Sequence, residues 1–278
     1  MNLLHAILLG LVQGLTEFLP VSSTAHLTLV ENLMLKRSMP LAFDVLLHVG
    51  TLVALCVYFR KDIAQVLRGL LGKDEQGRRL ALWLFIAMIP TGVFAIATRH
   101  FKETAKDHIW VYGVCLFLTA GMLFAANALA KRRAGRGVEG MNALDALAVG
   151  TIQGIGGGFG LSRSGSTISV GVFRGLALPA SARFSFLLGI PTIAAAAAYE
   201  GKKLIAPLLA GQSLSSELAF PVGSSNPGLL CLVGVLAAAI SGYAAVGLLD
   251  RFTRRPKLNG FAIYCIGAGA VLLFLGLR

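Results

Sequence analysis

Two short segments of the sequence carry the residue types that catalysis needs. The first, QGLTEFLPVSSTAH, begins at Gln13 and combines a carboxylate, three hydroxyls after the proline and an imidazole. Gln13 and Glu17 are four residues apart and share one face of a helix, which Pro20 then interrupts. Ser23 becomes a nucleophile if a base removes its proton, and His26 is the nearest candidate acid or base along the chain.

The same segment also has a purely structural explanation. Ser22, Ser23 and Thr24 are good helix-capping residues, and His26 would then be a packed histidine beside the cap. Glu17 suits two roles, because a carboxylate can orient an imidazole or bind a divalent cation through oxygen. This segment alone therefore leaves capping and catalysis both open.

The second segment, GGFGLSRSGST, begins at Gly157 and places Arg163 between Ser162 and Ser164. Backbone amides at the start of a helix bind anions, and a guanidinium matches the geometry of phosphate oxygens. The alternative is a structural ion pair between Arg163 and Glu17. The glycines and flanking serines add donors that a carboxylate partner does not need, so the pattern favours an anion site.

The composition indicates what kind of protein must position these segments. Of the 278 residues, 56% are hydrophobic and 14% are charged, against about 25% charged in a soluble domain. The mean hydropathy of +0.75 argues against a soluble cytosolic enzyme and rules out a disordered chain. The net charge of +12 comes from short basic runs between apolar segments, which is typical of membrane-flanking loops and not of a nucleic-acid-binding surface. The four cysteines lie in apolar runs without metal-site spacing and are predicted to be packing residues.

Six apolar segments are long enough to cross a hydrocarbon core about 30 Å thick. They cover about 41–59, 80–98, 108–130, 183–200, 229–249 and 259–277. Two further regions, 2–35 and 143–178, are apolar but are interrupted by polar, Gly and Pro residues. These two are predicted to be re-entrant hairpins, in which two short helices meet at an irregular loop that is buried in protein or lines a cavity.

The two halves of the chain resemble each other. Gly10, Gln13, Gly14 and Ser22 recur as Gly150, Gln153, Gly154 and Ser162, and FDVLLHVGT recurs as FSFLLGIPT. Residues 1–140 and 141–278 would each hold one hairpin and three spans. Since three is odd, the second copy must be inverted relative to the first. The sequence thus predicts an all-α integral membrane protein with an inverted-topology repeat, and chance similarity between apolar segments is the less favoured explanation.

The distribution of basic residues predicts the orientation. The loops 60–79, 131–136 and 251–257 share one face and carry 14 Lys and Arg residues. The other face carries eight: Lys36, Arg37, Arg99, Lys102, Lys106, Lys202, Lys203 and Arg278. The richer face is expected to be cytoplasmic. Both termini and the first hairpin then belong to the outer side, and the second hairpin enters from the cytoplasm.

With these segments in view, the chain resembles the undecaprenyl-pyrophosphate phosphatases of the bacitracin-resistance family. That family has a motif ending in Glu-Phe-Leu-Pro-(Val/Ile)-Ser-Ser-Thr-(Gly/Ala)-His, which residues 13–26 match in the form that begins with Gln. Its second motif, Pro-Gly-x-Ser-Arg-Ser-Gly-x-Thr, matches residues 159–167 except that Phe159 replaces the proline. The segments 43–55 and 182–193 also look like the family, so the likeness covers nearly the whole chain.

The resemblance implies roles for individual residues. Ser23 corresponds to the proposed nucleophile, and His26 to the acid/base or, in a second proposal, the nucleophile itself. Arg163 corresponds to the diphosphate-binding arginine. Glu17 corresponds to an acidic position linked to a metal or to orienting the catalytic group, and Gln13 fills a second such position without a charge. The candidate substrate ligands are Ser22, Thr24, Gly160, Ser162, Arg163 and Ser164, and a divalent cation, Mg²⁺ or Ca²⁺, is the expected cofactor.

The expected activity is hydrolysis of a polyprenyl diphosphate to the polyprenyl phosphate and inorganic phosphate. The resemblance implies undecaprenyl diphosphate as the substrate, recycling of the lipid carrier for cell-wall synthesis, and the bacterial inner membrane as the location. The orientation predicted from the basic loops places the site on the outer side. Membrane lipids are the expected surroundings, and a homodimer is compatible with the sequence. The main alternative is a transporter or flippase for a phosphorylated lipid or other anion, since inverted repeats with broken helices also build transporters. The serine–histidine spacing favours the enzyme, because transport needs no acid/base partner.

Overall fold

The fold is helical wherever the structure describes the chain. The computed structural model describes residues 1–35, 39–98, 100, 108–211 and 226–277. Within these ranges the only β-type pairing is an isolated bridge between Arg136 and Leu176, so the prediction of an all-α protein is confirmed. Of the basic residues assigned to the outer face, Lys36, Arg37, Arg99, Lys102, Lys106 and Arg278 lie outside the described residues.

The elements follow one another along the chain with short connections. The helices are α1 (Leu3–Phe18), α2 (Ser23–Val30), α3 (Leu41–Tyr58), α4 (Arg60–Leu70), α5 (Glu75–Ala97), α6 (Ile109–Arg132), α7 (Ala143–Phe159), α8 (Arg163–Phe173), α9 (Leu178–Leu209), α10 (Pro227–Thr253) and α11 (Asn259–Gly276). A π-helical turn, Glu31–Leu35, follows α2, and a 3-10 turn, Val138–Gly140, precedes α7.

Six of these helices, α3, α5, α6, α9, α10 and α11, are long and apolar enough to cross a membrane. They coincide with the six predicted spans, but some of them are longer than predicted. The spans predicted to begin at residues 80 and 183 begin instead at Glu75 and Leu178, and the second continues to Leu209 and not to residue 200. Because Arg183 is charged, the apolar run was predicted to begin there. In the structure Arg183 lies inside α9, where its guanidinium is paired with Asp62 and Gln65 of α4.

The stretch 60–79 was predicted to be a loop, and this is wrong except for residues 71–74, because residues 75–79 already belong to α5. Residues Arg60–Leu70 form the short helix α4, which packs against α5. One face of α4 carries basic residues, and Leu67 and Leu70 on its surface are exposed. A polar, amphipathic helix of this kind has no long apolar run, so span prediction does not detect it.

Large apolar side chains point outward along the spans. Ile96, Phe85, Ile240 and Ile263 are each more than 60% exposed. A soluble protein rarely leaves so much contiguous apolar surface in water. These side chains are those that lipid would cover.

Both predicted hairpins consist of two helices separated by a short break. Between α1 and α2, Pro20 cannot donate a backbone hydrogen bond, and Ser22 takes a positive φ of 69° as the N-cap of α2. Between α7 and α8, Gly160 takes a left-handed φ of 82°, and Ser162 caps α8. A positive φ is unfavourable for serine, so the surrounding structure holds Ser22 in a strained conformation that aims the start of α2.

The glycines shared by the two halves allow close helix packing. On α1, a Cβ at Gly10 would lie 2.5 Å from the Gly234 carbonyl oxygen of α10. On α7, a Cβ at Gly154 would lie 2.7 Å from the Thr91 carbonyl oxygen and from Phe94 Cβ, both on α5. Small residues at such crossings let two helical backbones approach in a membrane. The Gly-Gln-Gly spacing is thus explained by packing as well as by repetition.

Replacing Gly154 with alanine should therefore destabilise the protein, because the added methyl group has no room against α5. We expect a loss of about 1–3 kcal/mol, as for other overpacked sites. The matched control on the same helix is Gly157→Ala, because a Cβ there meets no atom within 4 Å. Thermal unfolding in detergent, followed by size-exclusion chromatography, should show a lower midpoint for Gly154→Ala only. Equal midpoints for the two variants would contradict this packing.

Candidate active site

The two helix breaks lie against each other and are joined by hydrogen bonds. The Ser22 hydroxyl donates to the Gly160 carbonyl at 3.0 Å, and the Ser164 hydroxyl donates to the Leu19 carbonyl at 3.1 Å. Each break thus supplies a serine that holds the backbone of the other. Residues about 140 positions apart in the sequence are brought into one site, as the repeat predicted.

Glu17 is the centre of this site. Its Oε1 accepts from Arg163 Nη2 at 2.6 Å, and its Oε2 accepts from Ser23 Oγ at 2.7 Å and from Gln13 Nε2 at 3.2 Å. The side chains of Glu17 and Arg163 are only 9% and 15% exposed. Three other residues singled out from the sequence, Gln13, Ser23 and Arg163, therefore each contact Glu17.

The ion pair between Arg163 and Glu17 was the structural alternative to an anion site, and the pair is present. It does not use all the donors of the guanidinium, however. Arg163 Nη1 is buried, lies against Gly189 and has no hydrogen-bond partner among the described residues. A buried guanidinium with unused donors can bind an anion of higher charge, either in place of its carboxylate partner or together with it.

Glu17 also stands where a base for Ser23 would stand. A carboxylate at 2.7 Å from a hydroxyl oxygen is within the range needed to take its proton. The sequence indicated His26 as the nearest base. In this structure Glu17 contacts the hydroxyl instead, because Ser23 opens α2 on the side that faces α1.

His26 is held by two other partners. Its Nδ1 donates to the Ser22 carbonyl at 2.8 Å, and its Nε2 lies 2.8 Å from the hydroxyl of Tyr264 on α11. The two rings are stacked, with centroids 5.6 Å apart and planes 11° from parallel. Because a carbonyl can only accept, Nδ1 carries the proton in the neutral ring and Nε2 accepts from Tyr264.

The serines predicted to bind the substrate are engaged within the breaks. Ser162 and Ser164 are each 1% exposed, and the Ser162 hydroxyl accepts from the Gly165 amide as the cap of α8. Ser22 is buried as well, whereas Thr24 is exposed. Gly160 adopts the left-handed conformation that ends α7. Phe159, which stands where the family has proline, is the last residue of that helix. Contact of these residues with a substrate stays a prediction.

The backbone amides in the first turns of α2 and α8 lie at the same site. The first turn of any helix leaves backbone N–H groups without intrahelical acceptors. Here the first residues are Ser23 in α2 and Arg163 in α8, and both belong to the cluster around Glu17. Two helix N-termini and a guanidinium together form a setting that favours a phosphate group.

Three residues of the site were missed by the sequence reasoning. Tyr264 holds His26, Cys265 donates its thiol hydrogen to the Pro20 carbonyl at 3.3 Å, and Thr119 Oγ1 accepts from the Ser162 amide at 3.3 Å. They come from α11 and α6, far along the chain from either motif. The sequence carries no local signal for them, because their relevance depends only on how the spans pack.

His48 extends the site on the side of α3. It lies close enough to Glu17 for their charges to interact, and its Nδ1 lies 2.9 Å from the Asp44 carbonyl oxygen and 3.5 Å from the Asp44 carboxylate. Lining of the substrate site by His48 stays a prediction. No group of three or more His, Cys, Asp or Glu side chains suited to a metal occurs in the part of the chain that the structure describes.

Comparison with known proteins shows the family of this chain. The model of the family described as "Bacitracin resistance protein BacA" matches residues 6–271. The chain belongs to the BacA family. The resemblance inferred from the two motifs is thereby confirmed, and the six apolar helices make this BacA-family chain a multi-pass membrane protein.

Individual relatives of the BacA family are similar over the whole chain. A protein of Syntrophotalea carbinolica is 38% identical over 95% of both chains, and one of Desulfosudis oleivorans is 34% identical over 100% of both. A third, from Saccharophagus degradans, is 35% identical over 99% of this chain and 98% of its own. Each of the three is named "Undecaprenyl-diphosphatase".

Proposed function

We propose that this protein is an undecaprenyl-diphosphate phosphatase of the bacterial inner membrane. It hydrolyses undecaprenyl diphosphate to undecaprenyl phosphate and inorganic phosphate, and so recycles the lipid carrier for cell-wall synthesis. The names of its relatives support this substrate. The observation that carries the proposal is the contact of Glu17 with both Ser23 and Arg163, which combines a nucleophile, its base and an anion-binding group.

Substrate binding would begin at the two helix N-termini. The terminal phosphate lies over the first turns of α2 and α8, and Arg163 turns its guanidinium from Glu17 toward the phosphate oxygens. This exchange frees Oε1 of Glu17, while Oε2 stays within hydrogen-bond distance of the Ser23 hydroxyl. Thr24, which is exposed and follows Ser23, is assigned to the second phosphate. The polyprenyl tail lies between spans, among lipid.

The first chemical step transfers the terminal phosphoryl group to Ser23. The Ser23 oxygen attacks phosphorus as its proton moves to Glu17, and the bond from phosphorus to the bridging oxygen breaks. Polyprenyl phosphate leaves with the electron pair of that bond. Arg163 and the helix amides stabilise the charge on the transferring group, which is the main requirement of phosphoryl transfer.

The second step is hydrolysis of the phosphoserine. Water attacks phosphorus, the Ser23 oxygen leaves and recovers its proton from Glu17, and the water proton passes to His26. The basic nitrogen of His26 is Nε2, because Nδ1–H is committed to the Ser22 carbonyl. The Tyr264 hydroxyl, which donates to Nε2 in the resting site, turns its hydrogen away as the water proton arrives and then accepts from Nε2–H. This division of labour assigns Ser23 as the nucleophile and His26 to the proton of the water.

A divalent cation, Mg²⁺ or Ca²⁺, fits the site as a companion of the diphosphate. Gln13 Oε1 is buried without a hydrogen-bond partner among the described residues, and it lies beside Glu17. Mg²⁺ is commonly held by one or two protein oxygens together with phosphate oxygens and water. Gln13 and Glu17 would hold the cation, which would neutralise charge on the phosphates.

The deciding experiment measures phosphate release by the purified protein in detergent with undecaprenyl diphosphate. We expect release that depends on the lipid concentration and that falls when a chelator removes divalent cations. The same protein reconstituted in sealed vesicles tests the transporter alternative. If it moves the diphosphate lipid across the bilayer intact and releases no phosphate, the enzymatic proposal is overturned.

We also propose that the molecule is an inverted repeat of two re-entrant hairpins, each followed by three spans. The packing of equivalent elements supports it: α1 packs on α10 as α7 packs on α5, and α3 with α9 and α6 with α11 pair across the two halves. The cytoplasmic face would hold α4 and the ends of α6 and α10. The first hairpin, and with it the catalytic site, would open to the outer side.

Cysteine labelling should reveal this topology in a cysteine-free background. Lys73 precedes α5 and His108 follows it before α6, and both are exposed. A membrane-impermeant thiol reagent should label Lys73→Cys only after the cytoplasmic side is opened, and should label His108→Cys from outside in intact cells. Labelling of both positions from the same side would show that α5 does not cross the membrane.

A further inference from the structure

The hydroxyl of Tyr264 touches a group that the reaction uses, although Tyr264 belongs to the last span. It lies 2.8 Å from Nε2 of His26, and the tyrosine ring stacks on the imidazole. The next residue, Cys265, donates to the Pro20 carbonyl at 3.3 Å. Two consecutive residues of α11 therefore hold both a side chain and the backbone of the first hairpin.

These contacts determine the state of the imidazole. With Nδ1–H bound to the Ser22 carbonyl, Nε2 is an acceptor, and the Tyr264 hydroxyl is its donor. When His26 takes up a proton, Nε2 becomes a donor, and the same hydroxyl oxygen can accept from it. A tyrosine hydroxyl thus serves both protonation states, which a backbone carbonyl or amide could not do.

We propose that Tyr264 is a positioning residue for His26: it fixes the plane of the ring and keeps Nε2 as the basic nitrogen. This inference rests on the proposed function in so far as His26 handles a proton during turnover. Tyr264 is 51% exposed, so it is not needed to fill the core, and its stacked geometry is better explained by its partner than by burial.

The test uses the full-length protein and four substitutions, three at tyrosines and one that assigns the His26 signal. Tyr264→Phe keeps the stacking and removes the hydroxyl, and Tyr264→Leu removes both. Tyr243→Phe is the matched control, because Tyr243 is a half-exposed tyrosine of another span, α10, whose ring packs on Tyr58. Two readouts are taken: the ¹⁵N resonances of the imidazole in histidine-labelled protein, assigned with His26→Gln, and the kinetics of phosphate release.

In the wild type we expect the resonance pattern of a neutral ring protonated at Nδ1. Tyr264→Phe should move the Nε2 resonance downfield, because that nitrogen loses its donor, and Tyr243→Phe should not. Loss of one such hydrogen bond should lower kcat about threefold to tenfold, with KM nearly unchanged. Tyr264→Leu should lower kcat further, because the imidazole ring of His26 then loses both the hydrogen bond and the stacking that hold its plane.

The two readouts separate the failure of this inference from the failure of the proposed function. Unchanged ¹⁵N resonances of His26 in Tyr264→Phe would overturn the inference whatever the activity. So would a kcat equal to that of Tyr243→Phe in an active enzyme. If the wild type releases no phosphate, the proposed function fails, but the resonance shift still decides whether Tyr264 sets the state of His26.

Discussion

Ser23→Ala should abolish phosphate release, with a loss on the order of 10⁴-fold or more, as for other enzymes that lose their nucleophile. The substitution removes the hydroxyl that contacts Glu17 at 2.7 Å and leaves the ion pair with Arg163 in place. Binding of the diphosphate lipid should therefore survive. The measurement is phosphate release at matched protein concentration, together with binding of labelled lipid.

Trapping the phosphorylated protein would show which residue attacks phosphorus. Acid-quenched wild type, incubated with lipid labelled in its terminal phosphate, should carry label on serine, which is stable in acid. Ser23→Ala should carry none. If the label on the wild type is instead removed by acid, and Ser23→Ala carries the same label before acid treatment, the attack is assigned to His26. The control is Ser169→Ala: this buried serine lies on α8, and its hydroxyl has no hydrogen-bond partner among the described residues, so full activity is expected.

Glu17→Gln should lower kcat about 10²- to 10⁴-fold, the range for loss of a general base. The amide keeps the shape of the carboxylate but cannot take the Ser23 proton. Arg163 then lacks its negative partner, so KM for the diphosphate should not rise. Steady-state kinetics over a range of lipid concentrations would separate the two parameters. Activity near wild type at every cation concentration would show that Glu17 is not the base.

The coupling of Glu17 with Arg163 can be measured by a double-mutant cycle. Arg163→Lys keeps the charge but loses the planar fork, and alone it should cost about 10²- to 10³-fold in rate. The double variant should lose less than the product of the two single losses, because the residues act on each other and on the same phosphate. Glu200→Gln, which removes a surface carboxylate paired with Lys203, is the control and should be neutral.

The sequence by itself determined the class of protein and the place of its chemistry. Apolar runs of about 20 residues identify spans because the hydrocarbon core has a definite thickness, and the structure has six such helices. Serines, Arg163 and Glu17 stand out because polar groups inside apolar segments must be paired or used. The internal similarity of the two halves predicted that the two breaks would meet, and in the structure Arg163 contacts Glu17.

Only the tertiary structure decided which side chains act on one another. Sequence spacing pointed to His26 as the base for Ser23, yet Ser23 contacts Glu17, and His26 contacts Ser22 and Tyr264. The cause is local: the positive φ of Ser22 turns the start of α2 so that its first hydroxyl faces α1. The contribution of Tyr264 depends on the packing of α11, about 240 residues away along the chain, and no periodicity or motif records a contact of that kind.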